Sequence, residues 1–493
     1  MTKTLCFLGS MLMTLSLGIA FSPASSARNG LVATSTRLTA AVVDQEGEID
    51  AINEEKEIYP GLREDPFFEC DDSVSYWKEF ISEGNQRNLQ RTVDIIVKEA
   101  NSDNVARAYW ASHLLRTGYF TFNALAGSLA SDLHERFIAN RGNENNEARE
   151  GMFALGSFSN GSMVQGLAST DIPTRLWLEV FRSYAQDYKY VKAGLLKTPW
   201  DALVKENGVQ LNHKQSNPLF AITETMSTVR ESIAIFSRRN KQSSPGVYMD
   251  STSTEMYPDY YLNDFHYQTD GWLSSESAKQ YEASTETLFL GRQDAMQRQT
   301  LIPILKSEIK PETILEVACG TGRFGTFMRD NFPTAKTTFS DLSPYYLEKA
   351  KANDEYWMSQ RGEDAMEEVT GEKKKAEPAT FVQANAETLP FEDDSFDVVT
   401  CVYLFHELPE DARARAAKEM VRVVKKGGMI VLSDSLQLGD RPPLDEQIGN
   451  FSKLNEPHYV NYVNTYLPDL FEGCEFGEKL LSSSTKTLSF IKK

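Results

Sequence analysis

Positive charge is scarce in this sequence: across 493 residues, 51 Lys and Arg stand against 70 Asp and Glu, a formal net charge of -19. Nucleic-acid binders need a basic stripe that displaces condensed counterions, and no Lys/Arg-rich face is visible, so no nucleic-acid partner is expected. A neutral or cationic small molecule fits better. Cysteine is also sparse. Beyond the first residues only Cys70, Cys319, Cys401 and Cys474 remain, without CxxC pairs or the regular spacing of a disulfide scaffold. The scattered His and Cys residues supply no four-ligand zinc set, and no metal is expected. Long apolar runs are missing too: the stretch from Leu5 to Ala20 is short for a bilayer span, so no transmembrane segment is expected in the mature chain.

What is present begins with an address. Lys3 precedes the apolar run, small residues at Gly18–Ala20 lead to Phe21, and the following FSPASSARNGLVATSTRLTAAVV holds Arg28 and Arg37 but no acid before Asp44. Signal-like and transit-like segments in tandem, spanning 1–43, resemble the bipartite presequences of algae whose plastids lie behind endomembranes, which implies plastid (chloroplast) localisation. Plain secretion is the alternative reading. An acidic linker follows over 44–75, poor in aromatics from Asp44 to Glu57.

A chain this long leaves room for two folded parts. Residues 76–245 read as mainly helical: Leu176, Val180, Tyr184, Tyr188, Val191 and Leu195 recur at helical spacing after the Asp171/Pro173 start, with Gly194 near the stop. The stripe is read as core. Residues 246–305 read as an aromatic loop, YPDYYLNDFHYQTDGWLS, and lid helices, the first capped by Ser274 and broken at Gly291. In 306–493, strand-like runs at Thr313–Val317, Lys336–Phe339, Thr380–Val382, Phe396–Tyr403 and Met429–Ser433 alternate with helical stretches, which implies a parallel sheet covered by helices. Gly477–Ser483 and Thr485–Ile491 read as a closing antiparallel pair, and the Glu/Lys-rich segment 355–377 as a solvated insertion.

The run ILEVACGTGRFG, Ile314 to Gly325, leads an apolar strand into Gly320 and Gly322 and then a helix, a turn that lets a cofactor approach the backbone and helix N-terminus. Asp341, 19 residues after Gly322, ends the second strand, where a carboxylate can accept hydrogen bonds from ribose hydroxyls. Glycines alone leave a nicotinamide cofactor open.

With FVQANAETLPFEDDSFDVVTCVYLFHELP and RVVKKGGMIVLSDS, these segments resemble the class I S-adenosylmethionine-dependent methyltransferases, particularly the ubiquinone/menaquinone C-methyltransferase group, over about Tyr257 to Lys493. The resemblance implies an α/β fold, a Rossmann-like seven-stranded domain with a closing antiparallel strand pair, preceded by a mainly helical region. It implies S-adenosyl-L-methionine as cofactor and a small-molecule methyl acceptor, aromatic or prenylquinone-like. Carried over, Glu316, Ala318, Gly320 and Gly322 surround the methionine part, Asp341 the ribose, Leu342 the adenine face, and Asn385, Ala386 and Glu387 the adenine edge, while Tyr281 closes over the cofactor. Asn385 stands where many relatives have Asp, an amide acceptor without charge assistance.

Ligands of open α/β sheets sit beyond the carboxyl ends of the strands, which points the Tyr403–Glu407 segment at the acceptor. His406, with an ordinary pKa near neutrality, is the candidate catalytic base; the competing reading is a histidine that only bonds the following helix. His266 and His458 are weaker candidates. Tyr260, Tyr261, Phe265, Tyr267 and Trp272 are read as packing residues able to shield a sulfonium, and Cys319 and Cys401 as packing residues alone. A non-catalytic cofactor-binding or assembly protein, contacting a protein partner through its helical region, is the alternative to an enzyme.

Overall fold

The structure, a computed structural model, describes residues 68–69, 85–137, 171–206, 208–210, 218–241, 256–441, 445–448, 452 and 455–493. The expected presequence and most of the acidic linker lie outside these residues. The description therefore starts, apart from the two-residue strand Phe68–Glu69, with helices α1 (Asn85–Ala100), α2 (Asn104–Phe137), α3 (Asp171–Lys192) and α4 (Pro218–Lys241). On α3 the predicted stripe is core: Val180, Tyr184, Tyr188 and Val191 are buried, with Leu176 and Leu195 packed partly against them.

Helix α5 (Ser275–Leu288) begins where the Ser274 hydroxyl accepts the Ser277 N–H, and ends before the positive-φ Gly291. The expected second lid helix is two short ones, α6 (Gln293–Arg298) and α7 (Leu301–Lys306).

Seven strands make the main sheet: β1 (Thr313–Val317), β2 (Lys336–Asp341), β3 (Thr380–Gln383), β4 (Phe396–Val402), β5 (Val424–Ser435), β6 (Cys474–Ser482) and β7 (Thr485–Lys492). Their order is β3-β2-β1-β4-β5-β7-β6, with Phe68–Glu69 added parallel to β6 at the edge. β1 to β5 run parallel, and β7 lies antiparallel to both β5 and β6. Apolar runs such as Val398 and Val399 of β4 and Ile430 to Leu432 of β5 are buried because helices cover both faces. The covering helices include α8 (Arg323–Asn331), α9 (Pro344–Gln360) and α11 (Glu410–Val423). Strand order reverses direction at β1, between β2 and β4, so the β1 and β2 loops open a crevice at their carboxyl ends.

Segment 355–377 is a correction to the sequence reading. It is not a solvated insertion throughout: it contains the end of α9 and all of α10 (Gly362–Thr370), with Trp357, Ala365 and Met366 buried. These buried side chains, one on α9 and two on α10, were hidden among Glu and Lys, and only 371–375 is exposed as a longer run.

The helical region packs against the sheet domain through buried polar contacts. Arg298 on α6 pairs with Asp187 on α3 at 2.9 Å, both side chains almost fully buried. Gln186 donates to the Leu481 carbonyl, Trp200 to Thr326, and Arg441 pairs with Glu179. Arg116 on α2 reaches Glu286 and Asp294, each at 2.7 Å.

Candidate cofactor and acceptor site

A cavity of about 540 Å³ lies over the carboxyl ends of β1, β2 and β4, between the sheet domain and helices of the amino-terminal region. Ser112, Arg116 and Phe120 from α2 join its wall, so the helical region contributes directly to the site.

At one end, Glu316 near the end of β1 and Ala318, Cys319, Gly320 and Thr321 after it join Asp341, the last residue of β2, and Leu342 after it. The Asp341 carboxylate accepts the Gly320 N–H and the Ser343 N–H, each at 2.8 Å, and so ties the glycine turn to β2. Burial pushes its pKa up to about 6, against the pull of those N–H groups. Gly320 and Gly322 have φ of +55° and +68°, a region that suits glycine. A Cβ at Gly322 would lie 2.9 Å from that of Ala350, so this glycine also lets α8 approach α9. Ala318 adopts φ +54° without being glycine. Glu316 is 2% exposed and its Oε2 has no hydrogen-bond partner; burial, with the nearby Asp341 charge, pushes its carboxyl well up. An unpaired buried carboxyl beside a glycine turn is suited to receive an ammonium from a ligand.

Asn385 and Ala386, after β3, are on the wall. The Asn385 side-chain oxygen accepts the Glu387 N–H at 2.9 Å. Gly322 and Glu387 are off the wall. The Glu387 carboxylate accepts the Tyr260 hydroxyl and pairs with Arg415. Tyr281 is on the wall, edge-on to Trp272 and Tyr346 at 5.7 and 5.6 Å between ring centres. Tyr260, Tyr261, Phe265 and Trp272 also line the cavity. Tyr267 and His458 do not. Cys319 and Cys401 are buried, and burial pushes both thiols well up, as for packing residues.

At the other end, His406 lies after β4. Its Nδ1 is 2.6 Å from Asp434 on β5 and its Nε2 3.4 Å from Glu407. Beyond Glu407 stands His266, 3.6 Å from it through Nε2, and on its far side Nδ1 lies 2.9 Å from Glu456 Oε1 without the alignment of a hydrogen bond. Acid and imidazole thus alternate across five side chains. Burial disfavours both imidazolium ions, but the carboxylates outweigh it: His406 is raised well above its ordinary value and His266 to about 10. Glu456 is pushed up to about 7 by burial and by Glu407, whose own carboxyl stays well below the usual range because both imidazoles outweigh its burial. Asp434 and Glu407 thus favour the protonated ring of His406 over that of an exposed histidine.

Asp434, Glu407 and Glu456 were not singled out by sequence reasoning. Asp434 was discoverable, since the SDS segment ends β5 at the same sheet edge; Glu456 sits after β5 in a segment without motif or period.

Residues 314–428 match a family model described as a methyltransferase domain. An uncharacterized methyltransferase, YcgJ, of Bacillus subtilis (strain 168) is 38% identical over 105 residues, 20% of this chain and 40% of the relative. The demethylmenaquinone methyltransferase of Thermotoga maritima is 26% identical over 222 residues, 44% of this chain and 80% of the relative. Among solved structures, the N-methyltransferase NodS from Bradyrhizobium japonicum WM9 in complex with S-adenosyl-l-homocysteine gives a TM-score of 0.29 at 15% identity, covering 40% of this chain and 85% of that one.

Proposed function

Because the chain carries a class I S-adenosylmethionine-dependent methyltransferase domain centred on residues 314–428, we propose that the whole protein methylates a small aromatic or prenylquinone-like metabolite in the plastid. The observation that supports it best is the continuity of one cavity from the glycine turn and Asp341 to the His406–Glu407–His266–Glu456 end, with aromatic side chains between. The Thermotoga relative is named a demethylmenaquinone methyltransferase, and the prenylquinone-like substrate class is taken over from there.

The residues present fit the cofactor. Asp341 can turn its acceptor lone pairs to ribose hydroxyls, Leu342 and Ala386 give an apolar slot for adenine, and the unpaired Glu316 oxygen suits the methionine ammonium. S-adenosylmethionine supplies an electrophilic methyl group on a sulfonium. Tyr281, Trp272 and Phe265 exclude water around it and face a cation with aromatic surface. The acidic chain at the far end accepts or holds the proton of the acceptor, and the closed wall fixes its direction of approach.

The test compares metabolites of plastids isolated from a knockout and from wild type. A species lighter by one methyl group should accumulate in the knockout plastids. Identical profiles there, or a demethyl species confined to the medium, would overturn the acceptor assignment and the location respectively.

A further inference from the structure

We propose that His266, Glu407 and Glu456 form a divalent-cation site at the acceptor end of the cavity. One ligand atom from each lies within 4.8 Å of the other two, and all three residues line the cavity. Glu456 is only 1% exposed, yet its Oε2 has no hydrogen-bond partner, and the same holds for the buried Oε2 of Glu407. Buried carboxylate oxygens without partners are costly, and a cation held among these three residues would give the two carboxylates a partner.

The donor set is one imidazole and two carboxylates, a mixture that suits Mn²⁺ or Zn²⁺ better than a cation taking oxygen alone. Three protein ligands facing a cavity leave coordination positions open on that side. The surroundings hold the ligands in place. Asn455, next to Glu456, donates to the Asp264 carbonyl at 2.9 Å, and Asn263 donates back to the Asn455 carbonyl at 3.1 Å, which fastens the two ligand-bearing loops together. His406, anchored on Asp434, stands behind Glu407. Such outer contacts orient ligands in metal sites. Binding would displace a proton from His266, because only the neutral ring can ligate.

The open positions select an acceptor with two neighbouring oxygen atoms, as in a catechol or a hydroxylated quinol. That acceptor class rests on the methyl-transfer reading; the cation site does not.

Mn²⁺ titration of the full chain, followed by the paramagnetic resonance of the free ion, tests the site. One Mn²⁺ per chain should bind, and His266→Asn and Glu456→Gln should each weaken binding at least about tenfold. Both variants should still bind S-adenosylmethionine, which shows that they are folded. Added catechol should change the spectrum of the bound ion in the wild type. No binding of Mn²⁺ by the wild type, or binding indifferent to both substitutions, would overturn the site; an unchanged spectrum with catechol would overturn the acceptor class. Loss of S-adenosylmethionine binding by the wild type would count against the proposed function and leave the cation result standing.

Discussion

Asp341 joins the cofactor end of the cavity to the backbone that shapes it. Its two oxygens take the N–H groups of Gly320 and Ser343, and the residue lines the cavity. Asp341→Ala should therefore weaken S-adenosylmethionine binding through lost ribose contacts, each worth about 1.5–3 kcal/mol, and through a loosened turn. The pH dependence has a definite sign. Since the folded carboxyl titrates at about 6, above its ordinary 3.8, acid protonates it and the ionised acceptor is lost. Cofactor affinity should fall as pH drops through 6. The same shift acts on stability in the opposite sense: this group favours the folded state below its ordinary value, and that contribution is lost as pH rises through 6. Calorimetric titrations at pH 5 and pH 8 measure the first effect; equal affinity at both would separate Asp341 from cofactor binding. Gly320 and Asp341 were readable in the sequence because turn and strand end are local signals. The environment that raises the proton affinity of His406 was not, since it comes from Asp434 and Glu407 together, and Asp434 is brought close by the β4–β5 pairing.

Among the elements, the existence of every strand of the central sheet was legible, and Thr313–Val317 to the residue, because apolar runs between breakers mark a buried strand; the strand read as Met429–Ser433 runs from Val424 to Ser435, its start hidden in the polar Lys425–Gly428 stretch. Composition misled where burial is sparse. The segment 355–377 is dominated by charge, yet Trp357 is fully buried and lies under the Arg329 guanidinium, 4.5 Å from the ring centre. Trp357→Ala should cost roughly 3–5 kcal/mol of stability, the range for deleting a large buried aromatic. Lys374→Ala, in the exposed stretch after α10, should change it by less than about 0.5 kcal/mol. Denaturant unfolding of both variants checks the contrast, and equal stabilities would return the segment to a solvated insertion.

In the molecule as a whole, the amino-terminal helices are part of the wall that closes the cofactor cavity. Periodicity showed that these helices exist and which face is core, but a 3.6-residue repeat says nothing about which partner the face meets. The partner becomes visible only in contacts such as Arg298–Asp187 and Arg116 with Glu286 and Asp294, where charges far apart in sequence are buried together. On the proposed function, the cavity so enclosed is built for S-adenosylmethionine. Calorimetric titration of the full-length chain with S-adenosylmethionine and, separately, with NAD tests it most directly. One S-adenosylmethionine should bind per chain, with no heat from NAD beyond dilution; binding of NAD with none of S-adenosylmethionine would overturn the assignment.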